Sequence, residues 1–365
     1  MKIGIIGLPN VGKSTIFNAL AGQHISAENY PFCTIEPNLG VVNVPDYRLD
    51  YLFEMYRPKK YTPASVEFVD VAGLVRGASK GEGLGNKFLS NIREVDALLH
   101  VVRCFEQDDI VSVEGTVDPL RDIEIIELEL IFSDMDIIQR RIEKQEKLVK
   151  GDPGASKDLL LLNRLKDWLS SGRNVREIEL NKEDKVFVSQ LPLLSNKPVI
   201  YAANFSIDDY FDGNPEDNEY YKKIKNLAEK SASTVLIISA KGEEELSDMD
   251  IEDRKMFMSE LNFDEIGLNR LIRESYRILG LISFMTVGKD EVKAWTVKDG
   301  TIAQKAAGKI HSDIERGFIR AEVISFDNLK ACNSMQNAKE RGLVKSEGKD
   351  YVIKDGDIIL FRFNV

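Results

Sequence analysis

Hydrophobic positions along the chain fall into three regimes. In the first, short apolar runs alternate with helical-looking stretches: Lys2-Ile3-Gly4-Ile5-Ile6, Ala64-Ser65-Val66-Glu67-Phe68-Val69, Pro198-Val199-Ile200-Tyr201-Ala202-Ala203 and Val235-Leu236-Ile237-Ile238. Apolar runs of this kind, separated by helices, are what a parallel sheet covered on both faces requires. From about residue 119 the period changes. Leu128, Ile131, Met135, Ile138, Ile142, Gln145 and Val149 recur at alternating steps of three and four, which is a coiled-coil seam. Gly151-Asp152-Pro153-Gly154 breaks that helix, and Leu162, Leu165 and Leu169 begin a returning stripe. The pattern predicts an antiparallel helical hairpin inserted at about 119–195 into a domain spanning 1–280. Residues 281–365 read as a separate small α+β unit, with strands at Val292–Val297, Ile319–Ser325 and Ile358–Phe361 and a helix near Ile302–His311.

Composition narrows the classes. The chain has 365 residues, 43% hydrophobic and 30% charged, which suits two or three folded domains rather than a disordered chain. Its 49 basic and 60 acidic residues give a net charge of −11, so DNA is not expected as a partner and any RNA contact must use a local patch. No apolar run reaches the ~18 residues of a membrane span, and the chain begins on a strand pattern rather than a signal peptide; no membrane and a cytoplasmic location are expected. Cys33, Cys104 and Cys332 include no close pair, and His24, His100 and His311 form no His-x-x-x-His, so reduced thiols and no zinc site are expected. His100 ends an apolar run and reads as structural. No long self-complementary stretch demands a dimer, and a monomer is expected.

The chemistry begins at Gly7-Leu8-Pro9-Asn10-Val11-Gly12-Lys13-Ser14. This is G-x-x-x-x-G-K-S between a strand and the helical Thr15-Ile16-Phe17-Asn18-Ala19-Leu20, the context of a P-loop NTPase. Its glycines let backbone N–H groups turn inward on phosphate oxygens, and the helix N-terminus adds partial positive charge. The expected phosphate-binding residues are Asn10, Val11, Gly12, Lys13, Ser14 and Thr15. Lys13 reaches the β- and γ-phosphates and Ser14 ligates Mg²⁺. Asp70, delivered by the second strand, is expected at the metal through its water shell, and Gly73 as a γ-phosphate sensor. Between them, Thr34 in the loop Tyr30–Asn38 completes the metal shell when triphosphate is bound. Leu74 stands where Ras-like enzymes carry a water-positioning glutamine, so slow intrinsic hydrolysis is expected; Arg76, Lys80 and Arg93 are the available cations.

These segments, with Asn91-Ile92-Arg93, His100–Glu106, Gly267–Arg270 and Gly348–Asp357, resemble the YchF/Obg-like ATPase family of translation-factor-related P-loop proteins over the whole length. The resemblance implies a Mg²⁺-dependent ATPase, a ribosome-linked role and, for 281–365, a TGS domain of β-grasp type. It also marks a departure, since Ser112 stands where many family members carry a histidine. Asn10 lies where related proteins help to hold a potassium ion, so K⁺ stimulation is an expectation.

The base-reading segment can be derived on its own. After the strand at 198–203, Asn204-Phe205-Ser206-Ile207 occupies the place of the GTPase Asn-Lys-x-Asp, with Phe205 for the lysine and Ile207 for the aspartate. The two guanine donors that the aspartate accepts would then face an apolar side chain, at about 1–3 kcal/mol for each unpaired group. ATP is therefore the expected ligand, read by backbone groups near Phe205, with Ser239-Ala240-Lys241 covering the other face of the base. The family usually shows a glutamate where this chain has Ile207; Asp208 is one residue late. The alternatives are a GTPase or non-selective NTPase, and a nucleotide-gated binding module with negligible turnover, which Leu74 and Ser112 motivate. Arg140, Arg141, Lys144 and Lys147 read as a solvated helix face, with RNA contact as the alternative, and the acidic run from Glu243 to Asp253 reads as surface.

Overall fold

The computed structural model describes residues 1–22, 38–71, 84–106, 116–149, 156–211, 213–231, 233–261, 263 and 265–364. In chain order the elements begin β1 (Lys2–Ile6), α1 (Lys13–Gly22), β2 (Leu39–Asn43), α2 (Tyr47–Tyr56), β3 (Lys60–Thr62), β4 (Ser65–Asp70), α3 (Leu84–Arg93) and β5 (Ala97–Arg103). The helical section follows as α4 (Pro119–Val149), α5 (Ser156–Ser170) and α6 (Lys182–Ser189), and the chain returns through β6 (Val199–Asn204), α7 (Ile207–Phe211), α8 (Glu219–Lys230) and β7 (Thr234–Ile238). Then come α9 (Ala240–Asp248), α10 (Ile251–Glu260), α11 (Gly267–Ile278), β8 (Leu281–Val287), β9 (Glu291–Lys298), α12 (Ala303–Ile310) and α13 (Ser312–Arg316). The last elements are β10 (Phe318–Ser325), α14 (Phe326–Cys332), α15 (Met335–Glu340), β11 (Lys345–Glu347) and β12 (Asp357–Phe363).

The described residues divide into two compact units, one within 1–22, 38–40 and 67–268 and the other within 41–66 and 269–364. The first holds a sheet of order β2-β4-β1-β5-β6-β7, in which β4, β1, β5, β6 and β7 pair in parallel. β5 and β6 are buried at every residue, as their mostly apolar runs require in a sheet covered on both faces. The second unit has its own sheet, β11-β10-β12-β8-β9-β3, so it takes in more chain than 281–365. β3 pairs with β9 across more than two hundred residues of sequence, and Thr62 Oγ1 donates to Glu291 Oε1 at 2.6 Å. A three-residue strand carries too little periodicity to announce such a partner.

α4 runs 31 residues, and its seam buries Ile131, Ile138, Ile142 and Gln145, with Ile131, Ile138 and Ile142 packing against Leu161, Leu162, Leu165 and Leu169 of α5. Arg140, Arg141, Lys144 and Lys147 are exposed. Two buried polar clusters hold this insertion, one tying α4 to the segment that leads into β6 and the other tying it to β6 itself. The carboxylate of Asp134, 0% exposed, accepts from Leu194 N and Ser195 N at 2.8 Å and from Ser195 Oγ at 2.6 Å. Glu127 accepts from Tyr201 Oη at 2.6 Å and pairs with Arg176, beside the buried His100, whose ring lies 5.7 Å from that of Tyr201.

These clusters set a pH test. Burial pushes His100 down to about 4, below its free value of 6.5, so the native state binds fewer protons and the histidine's contribution is lost as pH falls from about 6.5 toward 4. Burial pushes Asp134 up to about 6 from 3.8, so its contribution is present below pH 4 and lost as pH rises through 6. Each is on the order of 3 kcal/mol at most, and the two oppose each other between pH 4 and 6. In urea unfolding, the stability of wild type minus that of His100→Gln should rise with pH over this window, and wild type minus Asp134→Asn should fall. Flat difference curves would remove both assignments.

Candidate nucleotide site

The register β1–β4, in which Ile5 lies opposite Asp70, brings Asp70 to the carboxyl edge of the sheet where β1 opens into the loop 7–12. Ligands in open α/β sheets bind outside that edge. The loop needs its glycines for space. A Cβ on Gly7 would lie 2.6 Å from Val101 O, and one on Gly12, whose φ is +98°, would lie 2.5 Å from Asn204 Nδ2. Asn10, at φ 63°, takes the left-handed conformation that asparagine tolerates better than most residues. α1 begins at Lys13 with its first N–H groups directed out of the helix end.

Lys13 is 8% exposed and its Nζ donates to Leu8 O at 2.6 Å. Burial lowers its pKa, and the nearby charge of Asp70 acts in the opposite direction. Asp70 is the mirror image: burial raises it, while Lys13 and a hydrogen bond with the Ser14 hydroxyl hold it down. One cation, one carboxylate and one hydroxyl are thus gathered at the mouth of the loop. The hydroxyl and carboxylate are hard oxygen donors of the type that suits Mg²⁺, which takes few protein ligands and fills its shell with water and phosphate oxygens. Among the described residues there is no cluster of three or more His, Cys, Asp or Glu side chains able to cage a metal.

Beside the loop is an open cavity of about 920 Å³ whose lining includes Asn10, Gly12, Thr15, Phe105, Asn204 and Ile207, with Ala240 and Lys241 also on its wall. Asn204 braces it: Nδ2 donates to Val11 O and Oδ1 accepts from Ala240 N, each at 2.8 Å. Asn204 therefore spends its amide on joining the phosphate loop to the loop opposite. Ser239 is fully buried and caps α9, accepting from Gly242 N at 3.3 Å. Replacing Asn204 by alanine strands two buried backbone groups, each worth about 1–3 kcal/mol. The variant should melt earlier and bind nucleotide at least roughly tenfold more weakly; unchanged calorimetric affinity would contradict the bracing role.

Several expectations change. The Phe205 N–H is used in bonding Ile238 O at 2.8 Å, so it is not free to read a base, and the side chain is 1% exposed, a wall rather than a flexible cover. Ile207 opens α7, and Ser206 Oγ caps that helix by accepting from Asp209 N at 3.1 Å. Arg93 donates to Ser133 Oγ at 3.1 Å and does not line the cavity. Glu243 belongs to no surface run: it is 0% exposed and accepts from Gly267 N at 2.8 Å and Leu268 N at 3.2 Å, capping α11. Thr34, Gly73, Leu74, Arg76, Lys80 and Ser112 lie outside the described residues. Sequence reasoning gave no role to Phe105, which lines the cavity under the Arg103 guanidinium, 4.8 Å from its ring centroid. Its signal is position, two residues past the end of a strand that is buried throughout. Cys104, between them, is buried and its thiol is pushed up by burial, which leaves it unreactive.

Fold and site together define a P-loop nucleoside triphosphatase. Over its whole length the chain is 50% identical to the ribosome-binding ATPase YchF of Bacillus subtilis, covering 100% of both, and 48% identical to that of Escherichia coli O157:H7, covering 100% of this chain and 99% of the relative. It belongs to the YchF family. Residues 281–364 match the family model of the YchF GTPase C-terminal domain, described as a protein of unknown function, and residues 2–138 match the model described as a 50S ribosome-binding GTPase. A solved structure of the Schizosaccharomyces pombe YchF GTPase superposes with a TM-score of 0.90 at 35% identity, covering 99% of this chain and 97% of that one.

Proposed function

We propose that this chain is a Mg²⁺-dependent ATPase that binds the ribosome from the cytoplasm and acts as a translation-linked switch. The observation that carries it is the gathering of Lys13, Ser14 and Asp70 at a phosphate loop whose neighbouring base cavity has Phe205 and Ile207 where a guanine-reading lysine and aspartate would be. Lys13 binds the β- and γ-phosphates as a point charge, and the N–H groups of the loop and of α1 orient the triphosphate. Ser14 and Asp70 hold the Mg²⁺, which when bound neutralises charge on the phosphate oxygens. Thr34 would complete the Mg²⁺ shell when triphosphate is bound, the Gly73 amide would sense the γ-phosphate, and Asn10 would hold a K⁺ ion beside them; equal activity in Na⁺ and K⁺ buffers would remove the potassium site. The base lies between Phe205 and the Ser239–Lys241 loop. The unit containing 281–365 is a TGS domain of β-grasp type, and the protein works as a monomer.

The relatives' names divide between ATPase, for the bacterial proteins, and GTPase, for the Schizosaccharomyces pombe structure. The second reading, a GTPase of the same fold, is favoured by that name and by the GTPase names of the two matching family models. Calorimetry of nucleotide-free protein with Mg²⁺ and non-hydrolysable ATP or GTP analogues separates the two, alongside hydrolysis of each with and without ribosomes. Tighter ATP binding with ribosome-stimulated turnover supports the proposal; tighter GTP binding overturns it.

A further inference from the structure

We propose that the face of the second sheet opposite α12, where α2 and α15 leave part of β10 and β12 uncovered, is a docking site for an acidic peptide segment of a partner protein, anchored by one aliphatic side chain. One face of this sheet packs on α12, where Phe284, Val297, Ala321, Val323, Ile359 and Phe361 meet Ala303, Ala306 and Ala307. The alternate positions of β10 and β12 point the other way, and the antiparallel register sets Arg320 opposite Arg362, Glu322 opposite Leu360 and Ile324 opposite Ile358.

On that face is a pocket of about 150 Å³ lined by Val287, Ile324, Met335, Val344, Ile358 and Leu360. An apolar cavity of this size admits a group as large as benzene. Leu360, 49% exposed, is an apolar side chain standing in solvent beside it. The rim is cationic. Glu322 and the exposed Lys339 line the pocket, and beside it on the same face Arg362 and Arg320 share the Glu322 carboxylate, at 2.9 and 3.4 Å, with their side chains 49% and 52% exposed. Counted over this face, three cations stand against one carboxylate, which leaves a positive balance beside the apolar pocket.

The occupant follows from that combination. The rim calls for an anion on each side of whatever enters, and exposed guanidinium groups supply planar two-point contacts to carboxylates. Apart from Glu322, Lys339 and Tyr56 the pocket lining is aliphatic, so it offers no row of aromatic faces of the kind that nucleobases stack on, which favours a peptide over a nucleic acid. The Tyr56 hydroxyl is buried and has no hydrogen-bond partner among the described residues, and an acceptor carried in by the peptide would relieve it.

The test uses the full-length protein and an array of fluorescein-labelled acidic nonapeptides that differ only at the central residue, read by anisotropy. Leucine-, isoleucine- or methionine-centred peptides should bind at least roughly tenfold more tightly than the alanine-centred one, and binding should weaken with salt. Leu360→Asp and the double variant Arg320→Gln/Arg362→Gln should each lose a similar factor, with far-UV melting curves confirming that both variants fold. Absence of binding, or equal affinity for the leucine and alanine peptides, overturns the proposal. A twelve-nucleotide single-stranded RNA that binds wild type and is lost in the same variants also overturns it, and reassigns the face to nucleic acid.

Discussion

Replacing Lys13 by alanine lowers ATP turnover by roughly 10²–10³-fold, the cost of removing one preorganised charge from a site whose chemistry is positioning and electrostatics. The side chain is set up for this. Its burial lowers the ammonium's pKa, so the free site holds a cation at a cost in solvation that the Leu8 carbonyl and Asp70 offset only in part. A triphosphate supplies the missing counter-charge, which makes Lys13 more strongly engaged when ligand is present than when it is absent. Lys13→Arg should not rescue, because a planar fork cannot occupy the slot that places an ammonium 2.6 Å from Leu8 O. Steady-state phosphate release by wild type, Lys13→Ala and Lys13→Arg provides the check, with a melting curve for each. Turnover in Lys13→Ala equal to wild type would show that the observed activity comes from another site or a contaminant.

Ile207→Asp raises affinity for GTP by roughly 10–100-fold, the equivalent of about 1–3 kcal/mol, and narrows or reverses the preference for ATP. The position is suited to the exchange: Ile207 is half-buried, lines the cavity and begins α7. An acidic side chain is tolerated in the first turn of a helix, so the substitution costs little locally. It places an acceptor where guanine offers N1–H and its amino group, while adenine offers neither donor there. Competition binding of labelled ATP against unlabelled GTP reads the result directly. No gain in GTP affinity would mean that the base is not read at the 204–207 segment, and Asp208 and Glu244, which also line the cavity, become the groups to exchange.

The phosphate loop was legible because its geometry is local. Eight adjacent residues carry the glycines, the lysine and the hydroxyl, and the helix that follows supplies its own free N–H groups, so spacing alone reports the chemistry. The α4 seam was legible for a similar reason, since burial of Ile131, Ile138 and Ile142 repeats with the turn of one helix. The roles of Asn204 and Glu243 were not. Asn204 reads as a base contact until Val11 O and Ala240 N are seen on its two amide atoms, and Glu243 reads as one charge in a solvated run until the amides of Gly267 and Leu268 are found on its carboxylate.

By itself, then, the sequence determined the class of chemistry, the parallel α/β core and the helical hairpin, all of which follow from short-range periodicity and contiguous motifs. Tertiary structure decided which groups act together: Asn204 between Val11 O and Ala240 N, β3 in the second sheet, and the buried carboxylates of Asp134 and Glu243. The reason is that a polar group's environment depends on partners many residues away. Whether a carboxylate is solvated, paired or capping a helix is settled only when the chain closes around it.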